Sequence, residues 1–158
     1  MKLTTRGRYA VTAMLDLALY ENQGPISLAD ISERQEISLS YLEQLFSRLR
    51  RSKLVESTRG PGGGYCIARP LEEVSIADIV RAVNESVDTT LCGGQKNCHQ
   101  RGRCLTHDLW EGLSEQIESF LSGVSLRDLI EREQVREVAQ RQSENPLLFR
   151  QGAASAKH

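Results

Sequence analysis

The chain has 158 residues, 39% of them hydrophobic, 26% charged and 5% aromatic, a globular composition sufficient for one compact domain with an appendage. So few aromatics leave the core to Leu, Ile, Val and Ala, which predicts a mainly α fold. The net charge of −1 excludes a uniformly basic nucleic-acid surface, and no apolar run reaches the roughly 20 residues that cross a bilayer, so no membrane partner is expected.

The start, Met1-Lys2-Leu3-Thr4-Thr5-Arg6, lacks the apolar stretch of a secretory signal, and a cytoplasmic location is expected. From about Arg8 to Tyr20 the apolar residues recur at helical spacing, until Gly24-Pro25 breaks the run. Ser27 followed by Asp30 opens a short helix to about Arg34, and Ser38 opens a third, from about Leu39 to Arg51, whose inner face is Leu42, Leu45, Phe46 and Leu49. Two short helices joined by a tight turn form a helix-turn-helix pattern. Two strand-like runs, 54–59 and 65–68, then flank Gly60-Pro61-Gly62-Gly63-Gly64 and predict a β-hairpin wing.

Ser75 and Asp78 open a helix to about Asn84, and residues 85–104 lack apolar periodicity and read as a loop. A long helix is expected from about Leu105 to Leu121, its stripe of Leu105, Leu109, Trp110, Leu113, Ile117, Phe120 and Leu121 suited to pairing with a second copy. Ser125 and Asp128 start one more short helix. From about 134 the chain turns polar and is expected to be a disordered tail.

Charge is divided along the chain: residues 1–59 hold 9 Lys/Arg against 7 Asp/Glu, and the rest hold 11 against 14. In a helix-turn-helix the start of the second helix enters the major groove, which makes Ser40, Tyr41, Glu43, Gln44 and Ser47 the candidate base readers. Gln44 can pair with adenine, whereas Glu43 faces phosphates of its own sign and rejects some sequences more than it attracts others. Arg48, Arg50, Arg51 and Arg59 are candidate phosphate contacts, and Gly60, Gly62 and Gly63 let wing backbone approach double-stranded DNA closely. Helix, turn, helix, basic run, strand, glycine tip and strand occur in that order, which supports DNA binding more strongly than any one of them.

Cys92, Cys98 and Cys104 with His107 offer three thiolates and one imidazole from a single loop. If Cys104 and His107 share the first turn of the long helix, they face the same way, and the helix N-terminus favours the thiolate. In a reducing cytosol such donors suit an iron–sulfur cluster, structural zinc or a thiol switch. The absence of short Cys-x2–4-Cys knuckles tilts the choice from zinc towards the cluster. His99 reads as an exposed loop residue and Cys66 as a half-buried residue of the wing.

The segments Thr4-Thr5-Arg6-Gly7-Arg8-Tyr9-Ala10, Leu28-Ala29-Asp30-Ile31-Ser32-Glu33, Ser40-Tyr41-Leu42-Glu43-Gln44-Leu45-Phe46-Ser47 and Arg59-Gly60-Pro61-Gly62-Gly63-Gly64-Tyr65, with the cysteine and histidine spacing, are similar to the IscR family of iron–sulfur cluster assembly regulators. The resemblance covers about residues 1–130. It implies a homodimer carrying one [2Fe-2S] cluster per subunit on Cys92, Cys98, Cys104 and His107, supplied by cluster assembly or carrier proteins. It also implies a transcription regulator, not an enzyme, that represses cluster-assembly genes and activates some promoters, with Glu43 separating two classes of site. The expected division is a winged helix-turn-helix domain over 1–84, a cluster loop over 85–104, a dimerisation helix with a short helix over 105–133, and a disordered tail over 134–158. A zinc-stiffened constitutive regulator and a small electron-transfer protein are the competing readings.

Overall fold

The computed structural model describes residues 3–85, 90, 92–100 and 102–144. The Thr4 hydroxyl accepts from the Arg6 amide and starts helix α1 (Thr5–Leu19), earlier than the start expected near Arg8. Ser27 and Ser38 cap α2 (Leu28–Gln35) and α3 (Leu39–Arg51), each accepting from a backbone amide three residues on at 3.2 Å. Between the two helices Glu36 takes a left-handed conformation (φ 55°), which makes the turn tight. Leu42, Leu45, Phe46 and Leu49 form the buried face of α3, as their spacing indicates.

The wing pairs β1 (Val55–Thr58) with β2 (Gly64–Ile67) antiparallel, in the register Val55 to Ile67 and Thr58 to Gly64. At its tip Gly60 (φ 95°) and Gly62 (φ 74°) adopt positive φ, which side-chain-bearing residues resist. The hairpin is anchored close to its tip, through β2. Tyr65 exchanges two backbone hydrogen bonds with Ile26, at 2.7 and 2.9 Å, and its ring meets Phe46 edge-on at 4.9 Å.

A Cβ on Gly64 would lie 2.3 Å from the Ile26 carbonyl oxygen, a backbone atom that cannot swing aside. Gly64→Ala is therefore expected to destabilise the protein by about 1–3 kcal/mol. A lower urea midpoint at unchanged slope would register it.

Helix α4 (Ile76–Ala82) and the short α6 (Leu126–Ile130) each begin with a complete Ser/Asp capping box, Ser75 with Asp78 and Ser125 with Asp128. These two starts lie side by side: the Ile76 amide donates to the Val124 carbonyl at 2.9 Å and the Leu126 amide to the Val74 carbonyl at 3.0 Å. Leu126 is fully buried in the same core as Met14, Leu42, Phe46 and Ile79. The short helix, grouped in sequence with the long one, thus packs into the same core as α1, α3 and α4.

Between them runs α5 (His107–Ser122). Its apolar stripe divides: Ile117 and Leu121 pack against the core, while Leu109, Leu113 and Phe120 stay exposed. The segment from 134, expected to lack order, instead forms α7 (Glu133–Glu144) up to residue 144; residues 145–158 of the expected tail lie outside the described residues. Val135, Val138 and Ala139 of α7 line a cavity of about 350 Å³ with Val11, Leu15 and Leu19 of α1. Gln142 and Gln35 exchange amide hydrogen bonds at 2.9 and 3.2 Å, which ties α7 to the end of α2.

Beneath that contact Asp16 is buried, at 1% exposure, and accepts from Arg34 at 2.8 and 3.0 Å and from Gln35 at 2.8 Å. The Arg34 guanidinium also lies 4.2 Å over the Tyr20 ring. Among the described residues no helix is long and apolar enough to cross a membrane.

Candidate metal centre and nucleic-acid interface

His107 opens α5 and is buried at 1% exposure. Its Nδ1 lies 3.5 Å from the Cys92 thiol and 3.4 Å from the Cys98 thiol, so two sulfurs from different parts of the loop meet one imidazole nitrogen. The three donor atoms lie within 4.8 Å of one another. Loop backbone makes this approach possible, because Gly93, Gly94 and Lys96 all take positive φ and wind the chain tightly between the two cysteines.

Cys104 stands beside the group, not in it. Its backbone amide donates to the Cys98 sulfur at 3.0 Å, while its own thiol turns towards the Thr106 hydroxyl at 3.9 Å. Helix α5 begins at His107, so Cys104 precedes the helix and the condition under which the two would share its first turn is not met. Loop hydrogen bonds therefore do what a helix terminus was expected to do. Cys104 is drawn below the usual thiol range chiefly by its contact with Cys98, with desolvation opposing and the Thr106 amide and hydroxyl assisting.

At Cys92 desolvation works against ionisation, yet the Lys96 amide, the Thr90 hydroxyl and the Gly94 and Asn97 amides outweigh it and bring the thiol down to about 6. Cys98 is held up despite the Cys104 amide, because desolvation and its two neighbouring thiols resist a further negative charge. Three sulfurs with this division of charge suit a cation that takes up all of them. The other ring nitrogen of His107, Nε2, is buried with no hydrogen-bond partner among the described residues and faces Glu111 Oε1 at 3.8 Å. Glu111 carries no signal in the sequence beyond its place one turn after His107.

His99 is exposed and closes a small turn by exchanging backbone hydrogen bonds with Gly102, both at 2.9 Å. Cys66 lies half-buried on β2, with its thiol 3.9 Å from the Glu56 carbonyl. Residues 86–89, 91 and 101 of the expected cluster loop lie outside the described residues.

On α3, Ser40, Glu43, Gln44 and Ser47 are exposed. Tyr41 is half-buried, its ring packed edge-on against Tyr9 at 5.9 Å. Arg50, Arg51, Arg59, Gly60 and Gly62 are exposed, and Gly63 is half-buried at the tip. Arg48 differs from Arg50, Arg51 and Arg59: it is half-buried and donates to the Val83 carbonyl at 3.3 Å. Arg69, which the sequence reading passed over, lines a surface groove with Arg50 and Lys53 at the root of the wing.

Residues 3–132 match the family model Rrf2, described as an iron-dependent transcriptional regulator. The chain is 58% identical over 142 residues to the HTH-type transcriptional regulator IscR of Xenorhabdus nematophila, covering 90% of this chain and 87% of that one. It is 56% identical over 143 residues to IscR of Yersinia pseudotuberculosis, with the same coverage. Among solved structures it is similar to T. potens IscR (TM-score 0.68, 37% identity, 83% of this chain and 87% of that one). It is also similar to CymR, the global cysteine regulator of B. subtilis (TM-score 0.69, 32% identity, 82% and 95%).

Proposed function

The chain belongs to the Rrf2 family of transcriptional regulators, of the IscR type, and from that premise we propose that it senses iron–sulfur cluster supply through a [2Fe-2S] cluster, one per subunit, and thereby controls cluster-assembly genes. The observation that carries this reading is the buried His107, whose Nδ1 stands 3.5 and 3.4 Å from two loop thiols. Cys92, Cys98 and His107 are three of the holders, and Cys104, linked to Cys98 through its amide, is the fourth.

When bound, the cluster supplies a charged, redox-active and losable centre. The chain's own residues do the rest. The thiols release protons on ligation, the loop amides around Cys92 favour its thiolate, and the neutral imidazole makes the site easier to lose than an all-thiolate one. Clusters arrive from assembly or carrier proteins in the cytoplasm. The exposed Leu109, Leu113 and Phe120 of α5 fit a second copy of the chain, so that two recognition helices meet double-stranded DNA as a homodimer.

On DNA, Ser40, Tyr41, Glu43, Gln44 and Ser47 read bases, and Glu43 screens out sites that offer no donor to its carboxylate. Arg50, Arg51 and Arg59 neutralise phosphates, while Gly60, Gly62 and Gly63 bring backbone amides to the DNA. Arg48 acts through its hold on Val83. The regulator represses at some promoters and activates at others.

Arg51→Ala is expected to weaken binding to every duplex about equally and to lower the slope of log affinity against log salt by about one. Fluorescence anisotropy across a salt series measures both. The reading as a whole is tested by anaerobic purification with iron and acid-labile sulfide analysis and a visible spectrum, followed by DNA binding with and without the cluster. Zinc in place of iron and sulfide, or equal DNA binding by both forms, would overturn it.

A further inference from the structure

Helix α1 has no acidic residue in its own first turn, yet its positive end is not bare. Glu85 Oε2 accepts from the Gly7 amide at 3.0 Å and from the Thr4 amide at 3.2 Å, and Oε1 meets the Thr4 hydroxyl. The carboxylate is buried, at 9% exposure, and a Cβ on Gly7 would lie 2.4 Å from Oε2, so the glycine makes room for it. A carboxylate on the free amides of a helix start is a charge-assisted contact aligned with the helix dipole.

Glu85 is also the first residue of the segment that leads to Cys92, Cys98 and Cys104. Two residues before it, the Val83 carbonyl accepts from Arg6 of α1 at 3.4 Å and from Arg48 of α3 at 3.3 Å. Two residues beyond Gly7, α1 presents Tyr9 to Tyr41 of α3. Residues 83–85 therefore reach α3 by two routes, one through Arg48 and one through the start of α1.

We propose that Glu85 couples the cluster loop to DNA specificity: its carboxylate clamps the start of α1, and with it the Tyr9–Tyr41 contact, so that a change in the loop alters the reading face of α3. A clamp that is either made or released supplies the two discrete arrangements that coupling between sites requires. This inference rests on the cluster-sensing reading above.

The test uses the full chain, with and without its cluster, on duplexes selected from a random pool by each form. For the wild type the two forms are expected to differ by about 5–150-fold on at least one duplex. Glu85→Gln keeps the shape and removes the charge; its ratio is expected to fall to within about twofold of unity, with iron and sulfide content unchanged. Gly7→Ala pushes the carboxylate off α1 with Glu85 intact and is expected to do the same; it also decides the matter if Glu85→Gln fails to fold by circular dichroism. A wild-type ratio in either folded variant overturns the inference and leaves the cluster reading standing. Loss of the cluster from Glu85→Gln also overturns it, because Glu85 would then act on the metal site itself. A cluster-loaded wild type that binds DNA like the cluster-free form overturns both.

Discussion

Cys92→Ala is expected to empty the protein of iron and acid-labile sulfide and to divide its DNA targets into two groups. The Cys92 sulfur is one of two that meet His107 Nδ1, and the loop amides around it favour the thiolate that binds metal. Sites read only by the cluster-loaded form should lose about 5–150-fold in affinity, the ordinary range of coupling between two sites. Sites read by both forms should keep theirs. Anaerobic metal analysis and anisotropy on both groups of duplex check this, and a uniform loss or no change would contradict it. Cys66→Ala is the matched control, because that thiol lies on the wing, touches only the Glu56 carbonyl among the described contacts, and should leave both measurements where they were.

The largest expected effect on stability lies elsewhere, at Asp16. This carboxylate is fully buried and receives the Arg34 fork and the Gln35 amide, while Arg34 itself is only 12% exposed. Asp16→Ala strips a mostly buried guanidinium of its hydrogen-bonded counter-charge, which typically costs about 3–5 kcal/mol. For a chain of this size that corresponds to a fall in Tm of roughly 6–20 °C. The loss follows from the orphaned charge, so the double variant Asp16→Leu with Arg34→Met should be more stable than Asp16→Ala alone. A thermal melt of the set measures it, and a double variant no more stable than the single one would show that the pair is held by packing instead.

These two sites differ in how far the sequence discloses them. The inner face of α3 is legible because Leu42, Leu45, Phe46 and Leu49 repeat at helical steps, and the wing is legible because glycines at its tip permit positive φ. The candidate metal donors are legible by residue type. Their geometry is not: whether Cys104 sits inside α5 or before it depends on where the helix first closes its hydrogen bonds, and Thr106 supplies no side-chain cap to mark the place.

Helix α7 escapes notice for a different reason. Its apolar positions are Val135, Val138 and Ala139, a narrow face in a polar run, and its hold on the fold comes from Gln142 meeting Gln35 across more than a hundred residues. Long-range polar contacts leave no periodic trace. Arg48 and Glu85 are hidden in the same way, since a basic residue on a recognition helix reads as a phosphate contact until the Val83 carbonyl is seen beside it. Asp16 in turn looks like an ordinary exposed acid on an amphipathic helix.

The side-by-side starts of α4 and α6 carry a consequence for how such a regulator can change over time. The donor loop leaves the core beyond the end of α4, where Val83 and Glu85 are held against α1 and α3, and the chain comes back after α5 at a stitched seam, where Val74 and Ile76 bond to Leu126 and Val124. Such a handle can be lengthened, re-sequenced or refitted with other donors while its attachment points stay where they are. The DNA-reading core would not register the exchange in its packing, only in what the handle reports to it.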